Sequence, residues 1–152
     1  MTASGAGTTV SRTIQATPER VFAELSDGWD YASWIVGAAH IRAVDPGWPD
    51  VGSRIHHAVG SWPLLIWDFT EVEEISPPQR LQLRARIWPA GEARVEFVLT
   101  PGNGGTEVTM TETIVAGPMR LLGPVAGIGL TFRNAETLSR LTARAERPAG
   151  GS

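Results

Sequence analysis

The chain of 152 residues contains no cysteine and no lysine. Without a thiol there is no thiolate nucleophile, no thiolate metal ligand and no disulfide. All 13 cationic side chains are arginine, which excludes a Schiff-base lysine and a phosphate-loop lysine. Gly-x-Ser-x-Gly, Walker A, Gly-x-Gly-x-x-Gly, His-Glu-x-x-His and zinc-finger spacings are all missing. The most apolar run, Met119 to Phe132, is broken by Gly123, Pro124, Gly127 and Gly129 and is too short for a membrane span. A formal net charge of −3 gives no general attraction to nucleic acid or to anionic membrane.

What remains suits one domain with one core. Met1 to Gly7 is small and polar, lacks the basic and apolar regions of a signal peptide, and is expected to be a disordered tail, as are residues 147–152. The expected location is cytoplasmic. Leu130, Asn134, Leu138, Leu141 and Ala145 recur at steps of four, four, three and four, the spacing of one helix face. Arg133, Glu136, Arg140 and Arg144 fall on other faces, and Pro148 closes the run.

Upstream, the pattern is mostly strands. Thr8 to Gln15 alternates, with Val10, Arg12 and Ile14 on one face. Thr17 is placed to cap a short helix that Pro18 begins, and Asp27 to cap a second through Val36. Strands are then expected at Ile41–Val44, Ser53–Val59 and Leu64–Glu74, the last with either face able to point inward. Leu81, Leu83, Ala85 and Ile87 alternate with polar partners, as do Val95, Phe97 and Leu99, and then Val108, Met110, Glu112 and Ile114. Pro101-Gly102-Asn103-Gly104-Gly105 signals a hairpin. Clean alternation with short turns implies an antiparallel sheet with one buried face, an α+β layout in which the terminal helix covers that face.

The run from Arg12 to Phe22, with its Ala-x-Pro-Glu-x-Val-Phe core, resembles the opening motif of START/Bet v 1-like proteins, the SRPBCC or polyketide cyclase/dehydrase and lipid-transport group. Trp34, Glu74 to Leu81 and Gly105 to Met110 are similar to that group as well. The resemblance spans roughly residues 8–146. It implies a helix-grip fold, a curved seven-stranded antiparallel sheet around the long C-terminal helix, with a cavity between them. Members bind lipids, polyketides, hormones or steroids, and a minority are cyclases or dehydratases. No catalytic motif of the family is matched.

Four polar residues break the apolar faces: Arg12, His57 and Glu112 on strands and Asn134 on the helix. Each needs a partner, a ligand or water if buried. In the family topology the first and last strands are neighbours, so Arg12 and Glu112 are candidates for a cross-strand ion pair or for a head-group site. His57 is a candidate core residue, ligand contact or base. Its neighbour His56 points to the opposite face, so a shared metal is not expected. Trp34 and Trp67 are candidates to line the cavity, Trp48 and Trp62 to stand at its mouth, and Gly117 to Gly129 to form an entrance flap. The candidate ligand-binding set is Arg12, Trp34, His57, Trp67, Phe97, Met110, Glu112, Leu130, Asn134 and Leu138. Arg84, Arg86 and Arg94 share a predicted outer face, expected to be solvated. No cofactor or metal is expected, and a monomer or homodimer is.

Three functions compete on these grounds. The first is a binding or transport protein for a small hydrophobic molecule. The second is a cyclase/dehydratase using His57 and Glu112 as acid and base. The third is a protein-binding module resembling the activator domain of Hsp90 ATPase.

Overall fold

The computed structural model describes residues 7–29, 40–61, 64–87, 91–118, 121 and 123–147. Its seven strands are β1 (Gly7–Ile14), β2 (His40–Val44), β3 (Arg54–Ser61), β4 (Leu64–Ser76), β5 (Arg80–Ile87), β6 (Gly91–Gly102) and β7 (Gly105–Ala116). Two helices are described, α1 (Pro18–Leu25) and α2 (Gly123–Ala145). All neighbouring strands are antiparallel, in the order β1-β7-β6-β5-β4-β3-β2. The sheet is open and curved and the layout is α+β, consistent with the helix grip.

Local chemistry accounts for the boundaries. Thr17 Oγ1 accepts the Arg20 amide at 3.2 Å and Pro18 occupies the first helical position, so α1 is capped as its sequence predicts. Gly104 turns the β6–β7 hairpin at a φ of +78°, where a side chain would be strained. A Cβ on Gly105 would press against the Ile14 carbonyl oxygen, so glycine is what lets the chain pass β1 there.

The main core joins α1, through Val21, Phe22 and Leu25, to inward residues of the sheet that include Phe97, Leu83 and Ile55, and to Leu138, Leu141 and Ala145 of α2. Arg20 donates to the Arg144 carbonyl at 3.1 Å, and Glu24 pairs with Arg144 at 3.3 Å. These contacts pin the C-terminal end of α2 to α1. Among the described residues, the helix backbone runs closest to β1 and packs on α1.

Three expectations change. Gly117 to Gly129 does not form a loop throughout, because α2 starts at Gly123. A helix already nucleated by the Leu130 stripe propagates cheaply, against about 1 kcal/mol for each interior glycine. The β4 strand turns Asp68, Thr70 and Val72 inward and leaves Trp67 59% exposed on the outer face. Trp48 packs at the α1 end, its indole N–H on the Ser26 carbonyl at 3.1 Å. The second short helix expected through Val36, together with Trp34 and Trp62, falls on residues outside the described ones.

On the outer face, Arg84 lies 3.0 Å from Glu92, Arg94 lies 3.0 Å from Glu73, and Arg80 pairs with Glu96 at 2.6 Å and with Glu74. Arg86 stacks on Phe69. The arginines expected to form a solvated face therefore sit in a neutralised lattice, each partly exposed pair contributing little. Among the described residues, no helix is long and apolar enough to cross a membrane.

Candidate functional site

The strand registers place inward side chains in rungs across the sheet. The lower rung is Val10–Met110–Phe97–Leu81–Ile75. The next is Thr8–Glu112–Val95–Leu83–Val72. Above it comes Ile114–Ala93–Ala85–Thr70–Ile55. Along β6 the inward residues therefore shrink in sequence, from Phe97 to Val95 to Ala93 to Gly91. Two adjacent alanines, Ala85 and Ala93, floor the centre of the upper rung. Among the described residues, Ala93 is buried in a cluster with Ile114 and Leu130. Ala85 is only partly buried although it faces inward beside fully buried Leu83.

Polar groups flank this floor. On the β3–β4 side, His57 is 4% exposed, its Nε2 3.1 Å from Thr70 Oγ1 and its Nδ1 buried with no hydrogen-bond partner among the described residues. Asp68 stands opposite His57 in the register and is buried too. Asp68 Oδ1 accepts the Phe69 amide at 3.0 Å and lies 3.6 Å from Arg86 Nε. On the β1–β7 side, Glu112 is 3% exposed and accepts from Arg133 Nη2 of α2. Asn134 is fully buried and donates to Thr8 Oγ1 at 3.4 Å. Arg133 Nε and Asn134 Oδ1 are buried without a partner among the described residues.

The expected Arg12–Glu112 pair does not form. Register places Thr8, not Arg12, opposite Glu112, and Arg12 lies opposite Val108. Four residues of strand separate the two, about 13 Å. Arg12 belongs to an edge strand and is exposed. Trp67 is likewise not an inward residue; its ring lies under Arg42 at 4.6 Å on the outer face. Phe97, Met110 and Leu138 lie inside the main packed core, while Leu130 touches the alanine floor. His57, Glu112, Leu130 and Asn134 thus border the upper rung. Arg133, Thr70, Asp68 and the two alanines complete it. An inward glutamate requires a cation, and Arg133, beside Asn134, was the sequence signal for that partner.

His57 and Glu112 stand on strands four steps apart, about 19 Å of strand spacing in a curved sheet. Each is engaged with a different partner.

Burial holds the His57 imidazole below its ordinary value near 6.5; the Asp68 carboxylate opposes this, and Arg42 and His56 reinforce it. The ring is neutral at pH 7 and offers either a donor or an acceptor at Nδ1. In the unfolded chain the imidazole takes its proton more readily, so stability is full above about pH 6.5 and falls as the pH drops toward the lower folded-state value. Thermal melts from pH 7.5 to 5.5 are expected to decline less steeply for His57→Gln than for the unaltered protein. Parallel slopes would show that the imidazole is solvated.

The sequence profile described as polyketide cyclase/dehydrase and lipid transport matches residues 6–146. A comparison with curated proteins returns no match. Among solved structures, protein CV1439 from Chromobacterium violaceum superposes with a TM-score of 0.72 at 18% identity, covering 93% of this chain and 99% of that one. Ara h 8.0201 gives 0.71 at 10% identity, with 91% and 96% covered. The di-domain ARO/CYC BexL from the BE-7585A biosynthetic pathway gives 0.70 at 14%, covering 93% of this chain and 50% of BexL. At these identities the likenesses establish the fold alone. The profile, which spans nearly all of the described chain, does more: this protein is a member of the polyketide cyclase/dehydrase and lipid transport family.

Proposed function

We propose that the protein binds a small, largely apolar molecule between the N-terminal half of α2 and the upper rung of the sheet. The observation that carries this is the alanine floor. Below it, Phe97, Leu81 and Leu83 fill the interior. Ala93 is covered by Ile114 and Leu130, whereas at Ala85 the side chain is too short to fill the interior and the residue is only partly buried. The family description and the ARO/CYC relative agree with an interior that takes a hydrophobic guest.

Neither rival is favoured. An acid–base pair needs both groups within hydrogen-bond reach of one substrate atom or one water, whereas His57 is engaged with Thr70 and Glu112 with Arg133. A protein-binding role rests on exposed Leu121, Ile128 and Phe132. Exposed apolar side chains of this kind are common on folded proteins and do not by themselves mark a docking surface.

Anthracene, an apolar fluorescent probe, is expected to bind the purified protein. Ala85→Leu is expected to weaken that binding more than tenfold while changing stability by less than about 1 kcal/mol, because the added carbons enter open space. In a filled interior the same change would cost about 1–3 kcal/mol. That cost would show the interior to be filled, and no anthracene bound by the unaltered protein would refute a binding role. Native mass spectrometry of protein isolated from its own host would then identify the natural guest.

A further inference from the structure

We propose that the guest is an uncharged, elongated molecule held by a hydrogen-bonding oxygen at each end, one at His57 and one between Arg133 and Asn134. This rests on the reading that the interior above Ala85 takes a ligand.

Among the described residues, the three buried polar atoms without partners fall into two sets. His57 Nδ1 belongs to β3, whereas Arg133 Nε and Asn134 Oδ1 belong to α2 on the side of β1 and β7. The alanine rung lies between them, with Ile114 and Leu130 closing one side. A buried polar atom left unmatched is costly and rare in folded proteins. Two such sets at opposite margins of an apolar floor describe a site that is greasy in the middle and polar at both ends.

The chemistry of each set narrows the guest. His57 Nε2 is taken up by Thr70 Oγ1, so Nδ1 remains to donate to or accept from a hydroxyl or carbonyl. Arg133 Nε donates and Asn134 Oδ1 accepts. A hydroxyl satisfies both, accepting from the first and donating to the second. A carboxylate cannot donate to Asn134, and it would stand beside the buried carboxylate of Glu112, which already occupies the Arg133 Nη2 position. Like charges held in a poorly solvated place repel strongly. The site therefore selects against a fatty-acid head group and for a neutral oxygen.

Competition against bound anthracene tests this with a series of α,ω-alkanediols, the primary alcohols of matching length and the matching fatty acids. The expected result is an optimum chain length at which the diol binds about tenfold more tightly than the alcohol. The acid is expected to bind no better than the alcohol. His57→Phe and Asn134→Leu are each expected to reduce the diol to the affinity of the alcohol, both measured by competition against anthracene's own affinity for the same variant, with melting curves confirming the fold. Diols no tighter than alcohols at every length, or acids tightest of all, would overturn the two-ended site and leave the binding role standing. No binding of anthracene itself would remove the binding role, and this inference with it. The ligand ranking needs only the unaltered protein, so it decides the matter even where a variant fails to fold.

Discussion

Arg133→Met is expected to lower the unfolding free energy by about 3 kcal/mol and the melting temperature by roughly 6–12 °C. Glu112 has almost no access to solvent, and Thr8 and Val95 flank it in the sheet. The Arg133 guanidinium supplies its counter-charge from α2. Removing the cation strands a carboxylate in an apolar setting, which is the costly way to break a buried pair. The effect belongs at the lower end of the usual range of about 3–5 kcal/mol because the arginine side chain keeps 29% of its exposure. Adding Glu112→Leu to the variant is expected to restore most of the loss, since no charge then remains to be matched. Thermal or urea unfolding measures both. A single variant that melts within about 2 °C of the unaltered protein would show that Glu112 is not held by Arg133.

Phe97→Ala is expected to cost about 3–5 kcal/mol. The ring has no exposure and lies in the rung between Met110 and Leu81, under the part of α2 that α1 clamps. Urea unfolding is expected to show a lower midpoint with an unchanged slope, the signature of lost stability in an otherwise equal fold. The contrast with Ala85 is the informative part. Two inward positions on adjacent strands, two rungs apart, should respond in opposite senses: one cannot lose carbon without penalty, and the other can gain it freely. A cost below about 1 kcal/mol at Phe97 would mean that the lower interior is not close-packed.

Most of the frame was legible from residue spacing. The alternations of β5, β6 and β7 placed the inward set correctly, and the Leu130 stripe faces the sheet with Asn134 buried in it. Capping by Thr17 was readable because its chemistry is local. The face of β4 was not readable, since Trp67 and Phe69 compete with Ile66, Thr70 and Val72 as apolar claimants. What decides it is non-local: Asp68 and Thr70 stand opposite His57 and Ile55, while Arg42 and Arg54 cover the two rings outside. Arg12 had the right parity for an inward residue but sits on an edge strand where the chain opens to solvent. The candidate site was half visible. Its polar rim could be found as misfits in an apolar pattern, whereas Ala85 and Ala93 look like ordinary strand residues until register brings them side by side.

Among the described residues β2 is the last strand on its side of the sheet, which carries a consequence for self-association. β2 has five residues, and its pairing with β3 slips between Ile41 and Ala43. Arg42, at the slip, is folded back over Trp67. A neighbouring molecule seeking to extend the sheet would find a short strand with few amides in step, so this border is a poor seed for fibrils. A bulge that interrupts the sheet's regularity thus also guards the protein against polymerising through it.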